Sequence, residues 1–298
     1  MYNRENVKRI KIAIRVIGLL LIFVPTIILS IFSVQISKVK EENRNLLVQN
    51  SLLTSDKSDS QELEYGSNGR VILDVYSDMV VPWRSEPVYA TKEKTIYLTF
   101  DDGPSSKTKE ILDILDQYDV KATFFVTGTE DEELLPLYKE IVDRGHALGM
   151  HSYSHDYDLI YSSTEAFLAD MYKIYSLIKT QTGTAPVLFR YPGGSTNDWL
   201  EGNAYQKEII NEMEARGFIY HDWNVSSGDS SYYGLEAKEI HDNVINGIGS
   251  KTRSVVLMHD RARQGETVAA LPSIIEELKA NGYKFDKLTT STKPFRFE

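Results

Sequence analysis

Cysteine is absent from the chain. No disulfide framework, thiolate metal site or cysteine nucleophile is therefore available. A chain of 298 residues can bury a sizeable core without crosslinks. Positive charge is also in short supply, with 33 Lys and Arg against 43 Asp and Glu and a net charge of −10. That balance lacks the basic footprint of a general nucleic-acid binder, so no nucleic-acid partner is expected. Long-period repeats are missing as well. What is present is ordinary for a folded protein, 42% hydrophobic and 26% charged residues.

The charge is unevenly placed. Residues 1–15 hold Arg4, Lys8, Arg9, Lys11 and Arg15 against Glu5 alone. Immediately after comes Val16 to Val34, nineteen residues without a charge. At about 1.5 Å per residue such a helix spans roughly the 30 Å of a bilayer core. Basic residues stay on the cytoplasmic side. The sequence thus predicts a cytoplasmic basic tail (1–15), a single-pass membrane anchor (16–36) and an extracellular remainder at the cell membrane. Pro25 is tolerated in a span. The rival reading is a cleaved signal peptide, whose apolar region should be shorter and end in small residues. Ser30 and Ser33 keep that rival open.

A stalk and flexible linker follow at 37–69. Its first part mixes charge with Val39, Leu46, Leu47, Val48, Leu52 and Leu53, a short helix suited to weak self-association. Residues 54–69 are rich in Ser, Asp and Gly, which reads as a flexible linker. Residues 70–94 form a lead-in segment, and 95–298 the folded domain.

That domain alternates strand and helix patterns. Strands are expected at 95–100, 121–128, 146–152, 186–194, 218–225, 254–259 and 283–288. Helices are expected at 107–118, 130–144, 164–182, 204–216, 235–247 and 267–281. The alternation predicts an α/β fold, a parallel sheet covered by helices and either open or closed as a barrel. In such barrels the chemistry collects at the carboxyl ends of the strands. Asp101 and Asp102 end the first strand, His151 and His155 the third, and Arg190 the fourth. Asp222 and Trp223 lie late in the fifth, and His259 and Asp260 end the sixth. One rim would therefore gather the unusual polar residues. His146, His221 and His241 read as structural or exposed. Two histidines four apart plus an aspartate make a set suited to Zn²⁺ or a similar divalent ion, with positions left for water.

Residues 95–288 resemble the polysaccharide deacetylases of the NodB-homology type, carbohydrate esterase family 4. Five motifs carry the resemblance: Thr99-Phe100-Asp101-Asp102-Gly103-Pro104, His151-Ser152-Tyr153-Ser154-His155, Arg190-Tyr191-Pro192-Gly193-Gly194-Ser195, Asp222-Trp223 and Leu257-Met258-His259. The resemblance implies a distorted (β/α)7 barrel. It implies Asp101 as catalytic base, and Asp102, His151 and His155 as ligands of Zn²⁺ or of Co²⁺, Ni²⁺ or Mn²⁺. Arg190 would orient Asp101, and Asp222 would tune His259, the general acid. Trp223 and Leu257 would line an acetyl pocket, and a backbone N–H near Tyr191, Pro192 and Gly193 would face the oxyanion. Two departures stand out. Gly193 replaces an aromatic residue common after the motif's proline, which should leave the groove wall more open. Ile219 replaces an aspartate common three residues before Asp222, so a tuning partner is either missing or supplied elsewhere.

The expected function is removal of N-acetyl groups from an N-acetylated cell-envelope glycan such as peptidoglycan, with release of acetate. Two rivals are an O-acetyl esterase on a glycan and a non-catalytic glycan-binding wall protein. A degenerate site would have lost the base, a ligand or the acid, and all are present. A glycosidase would instead want two carboxyls flanking one sugar bond.

Overall fold

The computed structural model describes residues 75–81 and 94–297, except 201, 203, 204, 232 and 233. The expected tail, anchor and stalk lie outside the described residues, as does most of the lead-in segment. Among the described residues no helix is long and apolar enough to cross a membrane.

The domain is built around β1 (Thr95–Asp101), whose seven residues are all buried. A strand covered on both faces suits the middle of a parallel sheet. Further strands are β2 (Thr123–Val126), β3 (Ala147–Met150), β4 (Leu188–Phe189), β5 (Ile219–Tyr220), β6 (Val225–Ser226), β7 (Arg253–His259) and β8 (Lys284–Phe285). All pairs are parallel, in the order β5-β4-β3-β2-β1-β7-β6, with β8 attached to β1. Among the described residues no ladder joins β5 to β6, so the expected barrel takes the form of a curled half-barrel.

Helices α1 (Thr108–Gln117), α2 (Leu135–Asp143), α3 (Tyr157–Ile160), α4 (Thr164–Thr182), α5 (Gln206–Ala215), α6 (Ala237–Ile248) and α7 (Gly265–Ala280) connect the strands. Helix α4 matches its predicted bounds. Ser163 caps its first turn by accepting from the Ala166 N–H, and Gly183 ends it in the left-handed conformation (φ 72°) that glycine adopts without penalty.

Seven strands were expected and the described residues hold eight, because the fifth run divides. Its backbone changes partner as it goes. The His221 N–H donates to Phe189 O in β4, the Asp222 N–H to Phe295 O, and the Asn224 N–H to Val255 O in β7. The segment 221–224 thus crosses the open side of the sheet.

Strand alternation produces two cores. Ile96, Leu98 and Phe100 of β1 point outward and join Ile111, Leu112, Leu115, Phe167, Met171 and Ile274 beneath the helices. Tyr97 points inward and meets Phe125, Leu188, Val255 and Leu288 in a small plug inside the curl. Thr99 and Asp101 continue that inward face toward the carboxyl rim. At the opposite edge, buried Arg216 ties down residues 75–81. Its guanidinium donates to Val75 O at 2.9 Å and Tyr76 O at 2.7 Å.

Candidate metal and catalytic site

Sheet register sets the rim. Asp101 pairs with Phe125 of β2 and with His259 of β7. The His151 N–H donates to Val126 O, and the Arg190 N–H to Met150 O. Each of these residues ends a strand at the same level, so parallel hydrogen bonding alone aligns them.

Asp102, His151 and His155 bring one ligand atom each to within 4.8 Å of one another. Asp102 Oδ1 lies 3.1 Å from His155 Nε2 and 3.5 Å from His151 Nε2. That oxygen is buried and accepts no well-directed hydrogen bond. The other carboxylate oxygen, Oδ2, accepts from Arg261 Nε at 2.6 Å and also meets its Nη2. His151 Nδ1 lies 2.9 Å from the carbonyl of Arg190. A carbonyl only accepts, so Nδ1 carries the proton and Nε2 is left as the open ligand atom. Burial pushes the Asp102 carboxyl up, but His155, His151 and Arg261 together hold it well below the usual carboxylate range.

The two loops that present these atoms, one after β1 and one after β3, are strained. Asp102, Ser152 and His155 are non-glycine residues with φ of 73°, 75° and 52°. Such conformations cost on the order of 1–3 kcal/mol each and persist only where neighbours over-determine them. At residues 152–155 the neighbour is Asp170 of α4. It accepts from Ser152 Oγ at 2.6 Å, the Tyr153 N–H at 2.6 Å and the Ser154 N–H at 3.0 Å. Ser152 Oγ in turn accepts from the His155 N–H at 2.9 Å. The turn after Asp102 is equally tight. A Cβ at Gly103 would lie 2.3 Å from Asp260 Oδ2. Asp260 uses that space to accept from Ser105 Oγ at 2.7 Å and Thr108 Oγ1 at 2.5 Å, and burial raises its pKa to about 6.

Asp101 is placed differently from its neighbour. Its Oδ1 accepts from Arg190 Nη1 at 2.8 Å, while Oδ2 faces His151 Nε2 at 3.7 Å. Arg190 is fully buried, and its other N–H groups donate to Thr99 Oγ1, His221 O and Asp222 O. Phe125 and Trp223 flank the guanidinium at 4.3 and 5.6 Å. The side chain therefore has one position open to it.

His259 is tuned by Asp229, a residue the sequence reading did not single out. Its Nδ1 lies 2.7 Å from Asp229 Oδ1. Asp229 Oδ2 accepts from the His259 N–H and from Thr267 Oγ1, both at 2.8 Å. Burial alone would lower the His259 pKa, but Asp229, with Asp101 and Asp102, raises it. The expectation for Asp222 is thereby corrected. Asp222 accepts from the Ser195 N–H at 2.9 Å, Ser195 Oγ at 2.6 Å and the Phe297 N–H at 2.9 Å. It ties the turn after Arg190 to the C-terminal segment, and no hydrogen bond joins it to His259. The missing partner before Asp222 is supplied from the Ser-Ser-Gly-Asp turn six residues after Trp223 instead.

The remaining expected site residues divide. Trp223 borders Arg190 and packs edge-on against Phe297 at 4.8 Å. Leu257 lies two residues before His259 in β7, on the same inward face. Tyr191 was expected to face the oxyanion through its backbone. Its ring is fully buried against Phe167, Phe189 and Tyr220, so only its backbone can serve the rim. Pro192 has no N–H to give, and its carbonyl accepts from Tyr161 Oη and Asn197 Nδ2. Gly193 does not leave the wall open. A Cβ there would come within 3.0 Å of both Tyr157 Cε1 and Asn197 Cβ, which already fill the space. Of the three residues sequence reasoning passed over, Asp170 had the clearest signal, an aspartate on the apolar inward face of a helix. Asp229 and Arg261 sit in irregular turns and had none.

A curled parallel sheet with an Asp-His-His cluster and a His-Asp pair on its carboxyl rim defines an (β/α) domain with the furnishings of a hydrolase. The polysaccharide deacetylase family profile matches residues 89–220. A peptidoglycan-N-acetylglucosamine deacetylase of Bacillus cereus is 37% identical over 199 residues, 65% of this chain and 69% of that protein. The putative polysaccharide deacetylase YheN of Bacillus subtilis is 35% identical over 68% of this chain and 70% of its own length. The catalytic domain of a peptidoglycan N-acetylglucosamine deacetylase from Eubacterium rectale superposes with a TM-score of 0.68 at 41% identity, covering 72% of this chain and 97% of that domain. The chain belongs to the polysaccharide deacetylase family, with a NodB-type, carbohydrate esterase family 4 domain.

Proposed function

We propose that the domain is a metal-dependent N-deacetylase of an N-acetylated cell-envelope glycan, with peptidoglycan as the favoured substrate class. One observation carries the metal: the buried Oδ1 of Asp102, without a well-directed hydrogen bond, faces two imidazole Nε2 atoms. An oxygen and two nitrogens in that arrangement fit Zn²⁺ or a similar divalent ion. Asp102, His151 and His155 would hold it. When bound, such an ion polarises the acetamide carbonyl and lowers the pKa of water.

The chain's own residues supply the proton traffic. Asp101 lies outside the ligand set, its Oδ1 held by Arg190 and its Oδ2 turned to the site, so it is placed to take a proton from water. His259 is anchored through Nδ1, which leaves Nε2 to protonate the departing amine. Asp229 keeps that imidazole charged to a higher pH, as an acid requires. A backbone N–H of Tyr191 or Gly193 is the remaining donor for the oxyanion. The names of the relatives support peptidoglycan as the class of glycan. The basic residues before the apolar run 16–34 support a single-pass anchor with the domain outside the cell.

The test is acetate release from purified peptidoglycan by the full chain with Zn²⁺, beside Asp101→Asn. Release by the wild type alone is expected. Equal release by the two proteins would remove Asp101 as base, and release by neither would remove peptidoglycan as substrate.

A further inference from the structure

We propose that Trp199, backed by Tyr157, is a stacking platform for a second sugar of the glycan, so that the site reads an oligosaccharide and not a single acetylated unit. The proposal rests on the glycan reading above.

Trp199 is 50% exposed, the most exposed of the large apolar side chains among the described residues. A single exposed hydrophobic residue is normal on a protein surface. This one is different because it is held. Its Nε1–H donates to Asp158 Oδ1 at 3.2 Å. Its backbone N–H donates to Asn197 Oδ1 at 3.0 Å. The indole packs against the Tyr157 ring with centroids 4.8 Å apart. Asn197 fixes the base of this arrangement, donating from Nδ2 to Pro192 O at 3.0 Å and Gly194 O at 2.7 Å. The platform therefore hangs from the same turn that follows Arg190. The neighbouring Leu200 is fully buried and anchors the loop.

Position gives the platform its role. Tyr157 meets the ring of His155 edge-on at 5.2 Å. Trp199 is thus one aromatic ring removed from a metal-side imidazole, within the span of a disaccharide. The absence of a side chain at Gly193 belongs to the same design, because Tyr157 and Asn197 fill the space that side chain would take. A pyranose presents a face of C–H groups, and an indole presents a broad electron-rich face to receive it. An aromatic ring already fixed by hydrogen bonds and packing loses little freedom on binding.

The experiment separates binding from turnover. Binding of penta-N-acetylchitopentaose and of N-acetylglucosamine, which has no second sugar, is measured by calorimetry. The proteins are full-length, Zn²⁺-loaded Asp101→Asn and the same protein carrying Trp199→Ala or Trp199→Phe. Thermal melts check that each is folded. The expected result is about a tenfold weaker affinity of Trp199→Ala for the pentamer, no loss on the monosaccharide, and near-parental pentamer binding by Trp199→Phe. Equal pentamer affinity with and without the indole would overturn the platform, and so would a loss of the same size on both sugars. Binding of neither sugar by the Asp101→Asn parent would overturn it for this glycan. Tryptophan-dependent binding together with no acetate release by the wild type would uphold the platform while sinking the deacetylase reading.

Discussion

The two flanks of the rim are constructed in different ways. On one side, Asp101, Asp102, His151 and Arg190 leave regular parallel strands, and the ladders β1–β2, β2–β3 and β3–β4 set their level. On the other side, Asp222, Trp223 and Asp229 come from a stretch that switches hydrogen-bond partners between β4, the C-terminal segment and β7. The first flank is positioned by register and the second by side-chain hydrogen bonds. Regular backbone makes a site that can be anticipated from spacing. Irregular backbone lets aspartates seven residues apart exchange roles.

The largest effects should come from the regular flank. Asp101→Asn is expected to lower turnover by about 10²–10⁴-fold, the usual worth of a general base, with metal content unchanged by elemental analysis. His151→Ala should instead lose the metal, and added Zn²⁺ should restore little activity. If Asp101→Asn lost its metal as well, the division of labour between the paired aspartates would collapse.

Next comes the contrast between the two aspartates of the irregular flank. Asp229→Asn should reduce turnover and move the alkaline limb of the pH–rate profile to lower pH. The sign follows from the acid role: His259 must be protonated, and the carboxylate raises its pKa. Asp222→Asn should lower the melting temperature, by loosening Ser195 and Phe297, and leave that limb in place. A limb displaced by Asp222→Asn and not by Asp229→Asn would reverse the assignment.

Asp170 sharpens the comparison from the regular side, since it supports an irregular loop there. Asp170→Asn removes an acceptor from the strained 152–155 turn. Competition with a chromogenic chelator should show a metal affinity about 10–100-fold weaker. An unchanged affinity would mean that the loop holds its shape without α4.

The smallest effect concerns stability. Burial lowers the pKa of His146 to about 4 and of His221 to about 3. Between about pH 6.5 and 4 the unfolded chain binds protons that these buried rings refuse, so both destabilise the fold as pH falls. His259 acts in the opposite sense. Its raised pKa makes its pairing with Asp229 fully effective below its unfolded pKa and lost as pH rises through the folded one. Melting temperature measured from pH 7 to 5 should fall in the wild type and fall more steeply in Asp229→Asn.

Much of the rim was legible because each motif ended a strand with a clear apolar run before it. TIYLTF before Asp101 and SVVLMH through His259 needed only alternation and a turn signal. Asp229 escaped because a Ser-Gly-rich turn has no periodicity from which to infer direction.

The sequence by itself determined the alternating α/β order, the strand ends at which the chemistry collects and the Asp-His-His donor set. These follow from side-chain period and ligand chemistry, which are local properties. Tertiary structure alone decided that Asp229 and not Asp222 meets His259, that Asp170 holds the ligand loop, and that Arg261 takes one oxygen of Asp102 while leaving the other exposed to the imidazoles. Those choices depend on contacts between residues up to 159 positions apart, and no local pattern encodes which of two nearby carboxylates a folded chain will turn toward a given ring.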